Sequence, residues 1–357
     1  MPGSKPEAQK TMTASAALSR GIASVAKAPA ILLGVYAATL AMALPLGLAL
    51  RTQMAGHLGD SLEAEAALDG VNWGWWQEFT AQATDLGRTF SPSILGFAAV
   101  LDNLSGLLDR QGPPLVLVSV IGAYLGVWIF LSGGIVDRYA RNRATRVFGF
   151  FGACGTFFFR FLRLTLMAAV GYWVLFWFVH DWLFADVYVW ATRDLTVERT
   201  AFGVRMTLYL LFVILLAFYN MLIDYARIRA VVEDRRSMIG ALAAAVRFVR
   251  SRPTSAIGLY VANGAILLSI VAVYGILAPG AGGAGPAVWT VFLGTQAYIL
   301  ARLASKLLSY ASQTALFQSE FPVAGYVAAA LPGSPEPPAA EALGPPDETS
   351  APGPTQW

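Results

Sequence analysis

Cysteine, histidine and charge are all scarce in this chain of 357 residues. Its one cysteine, Cys154, has no partner for a disulfide within the chain, and its two histidines nearly exclude a zinc site of several His or Cys ligands. Only 13% of the residues are charged, against roughly 25% in an average soluble domain. These absences exclude a disulfide scaffold, argue against a soluble fold and leave no cofactor to expect.

Hydrophobic residues make up 56% of the chain, which has a mean hydropathy of +0.57. They gather into runs of roughly 17 to 26 residues, the length at which an α-helix crosses a bilayer. The sequence therefore predicts an all-α polytopic membrane protein, with six transmembrane helices built as three hairpins in a bundle over 28–308. The six spans are expected at about 28–50, within 111–136, and at 164–184, 204–223, 256–277 and 287–308.

Two parts of this span assignment depend on local signals. The last two spans share one uncharged stretch, 253–301, which the Gly/Pro run at 279–286 divides because such a run cannot continue a helix. The first span follows a long leader of 27 residues, and no clean small-x-small cleavage site precedes Arg51. We therefore expect the first span to be retained, and not removed as a signal peptide.

The distribution of basic residues predicts the orientation in the membrane. The segments 1–27, 136–163, 224–254 and 302–357 hold 19 of the 25 Lys and Arg residues, and the segments at the other span ends hold 6. Because basic loops stay in the cytoplasm, both termini are expected there. The pI of about 9.0 then follows from membrane topology and indicates no nucleic-acid partner.

An internal repeat relates two of the basic segments. Asp137 and Arg160 lie 23 residues apart, as do Asp224 and Arg247, and each interval leads into an Arg-Phe-x-Arg quartet. A weaker third copy is expected at 21–27, directly before the first span. Chance is the alternative, since Arg and aromatic residues are common at cytoplasmic span ends, but the matching periods favour a duplication.

Two segments within these copies have amphipathic patterns. In 236–250, apolar residues recur at three- and four-residue steps with Arg247 pointing away from them, and 148–163 is similar but richer in phenylalanine. Both are predicted to be interfacial helices that lie flat on the anionic lipid headgroups of the cytoplasmic face, each preceding a span and tethered by its aspartate. A docking surface for another protein is the alternative interpretation.

The remaining segments lie outside the predicted spans, at 1–27 (with a possible amphipathic helix), 51–113 (an external loop), 309–331 (membrane-proximal) and 332–357 (a tail). The loop contains three tryptophans near residue 75 and an amphipathic stretch at 94–108, which suit an interfacial anchor better than a ligand-binding cap. The tail has eight prolines in 26 residues and is predicted to be disordered.

No familiar catalytic motif occurs in the sequence. It contains no phosphate-binding loop, no H-E-x-x-H and no G-x-S-x-G, so no catalytic, cofactor or metal site is predicted. Asp137 and Asp224 end two spans beside arginines and are expected to form salt bridges that fix span depth, with proton coupling as the alternative. Asn220, Asn263 and Gln296 lie deep in the bundle and are expected to hydrogen-bond between helices, or else to line a polar path.

A resemblance to known proteins rests on three features. The run Ile-Asp-Tyr-Ala-Arg-Ile-Arg-Ala at 223–230, the later Arg-Phe-Val-Arg at 247–250 and the three-hairpin layout resemble uncharacterised six-span bacterial families. Those families are related to the membrane domain that accompanies some glycerophosphodiester phosphodiesterases. The resemblance covers about 14–320 and implies no phosphodiesterase activity, because the catalytic domain of those enzymes is absent. The excess of Arg over Lys, 21 to 4, also fits a GC-rich bacterial gene.

These features predict a non-catalytic accessory or scaffold protein of the bacterial inner membrane. Anionic headgroups are its expected partners, together with an unidentified membrane protein. The alternative is a small-molecule or lipid transporter, which would need a continuous polar path through the three amides. The candidate structural or functional polar residues are Asp137, Asp224, Arg160, Arg247, Asn220, Asn263 and Gln296.

We expect reporter fusions after residues 75 and 240 to give opposite sidedness, because the basic residues place the first position outside and the second in the cytoplasm. Alkaline phosphatase should be active only at the first position, and green fluorescent protein should fluoresce only at the second. The same sidedness at both positions would overturn the six-span arrangement.

Overall fold

A computed structural model describes residues 12–61, 72–89, 115–142, 145–277 and 286–319, with the single positions 65 and 106. Within these ranges the chain is helical and forms no strand, as the composition predicts. The main helices are α1 (Ala14–Ala26), α2 (Pro29–Asp60), α3 (Trp73–Gln82), α4 (Leu115–Arg141), α5 (Val147–Thr192), α6 (Glu198–Val232), α7 (Met238–Ser251), α8 (Pro253–Leu277) and α9 (Pro286–Ser319).

Five of the described helices, α2, α4, α5, α6 and α8, are long and apolar enough to cross a bilayer. The predicted sixth span, 287–308, lies inside α9, which has 34 residues but is not among these five. Its apolar residues are interrupted by Arg302, Lys306 and many Ser, Thr and Gln side chains. The prediction of an all-α protein is confirmed, and the five apolar helices are compatible with a multi-pass membrane protein. Six spans and their pairing as hairpins stay predictions.

Helix α5 corrects one of the two predicted interfacial helices. It runs without a break over 46 residues, or about 70 Å, and includes two π-helical segments, Leu175–Val179 and Trp182–Val187. The segment 148–163 is therefore the first part of a long apolar helix, and the prediction that it lies flat as a separate helix is wrong. The physical reason is that no proline interrupts the hydrogen bonding between this segment and the span.

Helix α7 is the separate helix that the sequence predicts at 236–250. Ser237 caps its first turn by accepting a hydrogen bond from the Gly240 amide at 3.3 Å. The helix ends at Ser251, the next residue Arg252 has dihedral angles of φ −136° and ψ 55°, and Pro253 begins α8. Because proline disfavours helical angles in the residue before it, the chain turns between α7 and α8.

Helix α1 has the same arrangement as α7. Thr13 caps its first turn by accepting a hydrogen bond from the Ala16 amide, and Ala28, with φ −132° and ψ 54°, precedes Pro29 at the start of α2. The proline lies sixteen positions after the capping residue in both cases. The weak copy predicted at 21–27 thus matches α7 in structure, whereas the copy at 148–163 does not.

The second half of α9 is central to the described core. Helices α1, α2, α4, α6 and α8 all contact α9. Most of its residues beyond 308 are buried, among them Tyr310, Ala311, Leu316 and Phe317. The segment predicted as membrane-proximal, 309–331, therefore begins as packed helix and continues as such to Ser319.

Two predicted extramembrane features, the stretch 94–108 and the tail 332–357, lie outside the described residues. The chain divides into two compact units, Met1–Tyr326 and Val327–Trp357, and the description falls entirely in the first. Within the predicted loop 51–113, residues 51–60 continue α2. The rings of Trp75 and Phe79 in α3 lie 6.0 and 5.4 Å from the His57 ring, so α3 packs on the end of α2.

Gly21 sets the distance between α1 and α9. A Cβ atom at this position would lie 2.7 Å from the Ser312 Cβ and 2.9 Å from its Cα, which is closer than side chains pack. Gly47 in α2 is different, because an added Cβ there would meet no atom within 4 Å. Glycine is therefore required for α1 to lie this close to α9.

We expect Gly21→Ala to lower the free energy of unfolding by about 1–3 kcal/mol, because the added methyl group forces α1 and α9 apart. Gly47→Ala is the matched control and should be neutral or slightly stabilising, since alanine favours a helix over glycine by about 1 kcal/mol. Unfolding by SDS in mixed micelles, followed by circular dichroism, measures both changes. Equal stability of the two variants would contradict the close contact.

Candidate functional site

A buried ion cluster surrounds Asp224 of α6. The carboxylate is only 2% exposed and lies 3.3 Å from Nη1 of Arg227 and 4.0 Å from Nζ of Lys306. Arg227 also donates a hydrogen bond to the Tyr310 hydroxyl at 3.2 Å. A buried carboxylate needs such cationic partners, because removing its charge from water is costly.

Two arginines, Arg227 and Arg229, follow Asp224 in the sequence, and the first of them is its partner. Arg227 contacts it, whereas Arg229 pairs with Glu233 at 2.9 Å and donates a hydrogen bond to the Ala244 carbonyl of α7 at 2.9 Å. Arg229 thereby links α6 to α7, while Arg227 links α6 to α9 through Tyr310.

Asp137 occupies a similar position in α4. It is 2% exposed, and the Arg141 guanidinium one turn later lies 2.9 Å from its Oδ2, as predicted. At the same end of α4, the Ala140 carbonyl accepts a hydrogen bond from the Gln318 amide of α9 at 2.8 Å. These contacts anchor α4 to the core.

Arg160 and Arg247, which the repeat makes equivalent, lie in different environments. Arg160 of α5 forms an ion pair with Asp234, which has a φ of 49° in the connection between α6 and α7. Arg247 is exposed on α7. The difference arises because α5 is continuous, so Arg160 lies within the long helix. Arg247 instead lies on α7, a short helix that is separate from α8.

Asn220 hydrogen-bonds between helices, as the sequence analysis expects. Its Oδ1 accepts a hydrogen bond from the Tyr172 hydroxyl at 3.1 Å, and its Nδ2 donates to the Tyr260 hydroxyl at 2.8 Å. Asn220 therefore joins α5, α6 and α8.

The other two amides each join α9 to a further helix. Asn263 of α8 donates a hydrogen bond to the Ser312 hydroxyl at 3.0 Å, and Gln296 accepts one from the Tyr36 hydroxyl of α2 at 2.7 Å. These contacts agree with the expectation that the three amides hydrogen-bond between helices.

A cavity of about 370 Å³ opens beside the ion cluster, between α4, α6, α8 and α9. It brings together three of the predicted residues, Asp224, Asn220 and Asn263. Gln296 is not among its lining residues, so this cavity is not the path through all three amides that a transporter was expected to have. Aromatic and apolar side chains complete the wall, namely Tyr124, Trp128, Tyr260, Leu267 and Leu303.

Arg302 and Lys306 line the same cavity and were missed as site residues. A signal was present in the sequence, because basic residues four apart in a helix share a face. The lining has two cations and one carboxylate, and Arg227 already neutralises that carboxylate from the other side. The surplus positive charge favours a bound anion, since charges attract strongly where water is partly excluded.

The described ranges contain no cluster of three His, Cys, Asp or Glu side chains able to hold a metal ion. Cys154 is buried as a free thiol and lies against Gly134 of α4, where an added Cβ would be 2.6 Å from its Sγ. The thiol therefore fills space between α4 and α5.

No family model, curated protein or solved structure matches this chain. The resemblance to six-span bacterial families therefore stays a prediction.

We expect Asp224→Asn to cost about 3–5 kcal/mol of stability, because Arg227 would lose its buried counter-charge. Asp234→Asn is the control, since that carboxylate is 54% exposed and its pair with Arg160 should contribute about 1 kcal/mol or less. SDS unfolding titrations give both values. A cost no greater for Asp224→Asn than for Asp234→Asn would show that the cluster does not depend on this carboxylate.

Proposed function

We propose that the protein is a non-catalytic, six-span protein of the bacterial inner membrane that binds a small organic anion with an apolar portion, as a small-molecule or lipid permease does. The observation that carries the proposal is the cavity beside Asp224, where Arg302 and Lys306 outnumber the single carboxylate. The polar end of such a ligand would meet these cations, and its apolar portion would contact Trp128 and Leu267.

The proposal takes α9 as the sixth span. Its 34 residues extend about 51 Å, which exceeds a hydrocarbon core of about 30 Å. Several of its polar side chains, including Ser305, Ser312 and Gln313, are buried against other helices. A helix with a polar inner face can cross a bilayer despite a modest mean hydropathy, because lipid contacts only its other side.

The position of Arg302 supports a ligand anion. It lies sixteen residues after Pro286, about 24 Å along α9, and its side chain is exposed. This position is near the cytoplasmic end of the predicted span 287–308, where a long basic side chain can reach the headgroup level. Ionisable residues within spans commonly mark substrate paths, and a bound carboxylate or phosphate would complement the charge of Arg302.

The cavity beside Asp224 also favours anion binding over the accessory or scaffold function that the sequence predicts. A scaffold needs no internal cavity, whereas this bundle has one that is lined by charged side chains. The remaining expectations are kept within the proposal: both termini lie in the cytoplasm, and α7 lies against anionic headgroups with Arg247 and Arg250 exposed.

Isothermal titration of the protein in detergent micelles with octanoate, hexyl phosphate and hexyltrimethylammonium tests the proposal, with titration of empty micelles as the blank. We expect both anions to bind and the cation not to bind. Arg302→Gln should weaken anion binding about tenfold or more, because a hydrogen bond to a charged group contributes about 1.5–3 kcal/mol.

Arg250→Gln is the matched control, since it removes an exposed arginine outside the cavity. It should bind the anions as the unmodified protein does, while Lys306→Gln should weaken binding like Arg302→Gln. Equal binding of the anions and the cation, or equal affinity of Arg302→Gln and Arg250→Gln, would refute the proposed site.

A further inference from the structure

A second cavity, of about 610 Å³, lies between the α1–α2 junction, α4 and the start of α5. We call it the α2–α4 groove. Its lining is mostly apolar, with Ile31, Val127 and Leu131 among its residues, and it includes two cations, Lys27 and Arg138. It shares no lining residue with the cavity beside Asp224.

The α2–α4 groove has the depth of one membrane leaflet. On α2 it extends from Pro29 to Ala38, and on α4 from Arg138 to Val127, which are about 14 and 17 Å at 1.5 Å per residue. Half of a hydrocarbon core of about 30 Å is close to the same distance. An acyl chain that begins at the level of Lys27 and Arg138 would therefore fit along the groove.

Small residues form the α2 wall of the groove. Ala30, Gly34 and Ala38 recur every four residues and thus lie on one side of the helix. A Cβ atom added at Gly34 would meet no protein atom within 4 Å, so the space beside it is open. Phe130 and Phe150 contribute aromatic rings to the rest of the lining.

Both cations line the same end of the groove, where α2 begins and α4 ends. Lys27 is the residue that ends α1, and Arg138 is in the last turn of α4. Asp137, the carboxylate next to Arg138 in the chain, is already paired with Arg141. A phosphate between Lys27 and Arg138 would complement both charges.

We propose that the α2–α4 groove binds an anionic phospholipid, with its phosphate at Lys27 and Arg138 and one acyl chain along the small-residue wall of α2. The depth of the groove matches a chain within one leaflet, and the cations stand where the headgroup would be. A net negative headgroup complements them, whereas a zwitterionic one brings a positive charge of its own. The site takes α2 and α4 as membrane spans, as the proposed function does, but it is independent of the proposed anion cavity.

Native mass spectrometry of the full chain tests the proposal, after incubation in micelles with equal amounts of phosphatidylglycerol and phosphatidylcholine that carry the same acyl chains. We expect at least fivefold more retention of phosphatidylglycerol. The double variant Lys27→Gln/Arg138→Gln should lose this preference, and the control Arg20→Gln/Arg250→Gln, which removes two exposed arginines elsewhere, should keep it.

Gly34→Leu tests the position of the acyl chain. The Cβ of the new side chain would meet no protein atom within 4 Å, and the leucine would project into the space proposed for the acyl chain, so we expect at least a fivefold loss of phosphatidylglycerol retention. Gly47→Leu is the matched control, because an added Cβ at Gly47 also meets no protein atom within 4 Å. It should retain the lipid as the unmodified protein does.

Three results would overturn the proposal: equal retention of the two lipids, equal retention by Gly34→Leu and Gly47→Leu, or displacement of the lipid by glycerol 3-phosphate, which would assign the cations to a free phosphate. Arg302→Gln should leave phosphatidylglycerol retention unchanged. These variants therefore distinguish a failure of the lipid-binding proposal from a failure of the anion-binding proposal.

Discussion

The burial of Asp224 is the constraint on which the centre of the structure depends. A carboxylate that is 2% exposed among apolar helices needs cations within a few ångströms. Arg227, one turn along α6, and Lys306, on α9, meet that need and fix α6 beside α9. The same arrangement places Asn220 and Asn263 in one cavity with a surplus of positive charge. Stability and candidate function therefore depend on the same few side chains.

A second constraint acts through proline. Ala28 and Arg252 have almost the same dihedral angles because each precedes a proline that disfavours helical geometry before it. The chain therefore turns between α1 and α2 and between α7 and α8, but α5 has no proline and continues. The first of these turns places Lys27 at the end of the α2–α4 groove. A local backbone rule thus positions one of the two cations of the proposed lipid site.

The two proposed sites combine cations with apolar surface in different ways. In the cavity beside Asp224, a carboxylate and several hydroxyl and amide groups accompany Arg302 and Lys306, which suits a ligand with a defined polar end. In the α2–α4 groove, Lys27 and Arg138 stand at one end of a long apolar lining, which suits an acyl chain. In both proposed sites, the anion lies near basic residues that the sequence assigns to the cytoplasmic side of the membrane. The anionic lipids of that leaflet attract such residues.

The sequence by itself determined the long apolar helices, since span length depends only on bilayer thickness. It also placed Asp137 and Asp224 beside arginines, and the structure pairs each aspartate with the arginine three or four residues later, which is its neighbour on the helix. Only the tertiary structure decided that Lys306 joins Asp224 and that Gln296 meets Tyr36. Partners that lie 82 or 260 residues apart meet through helix packing, which no local pattern encodes.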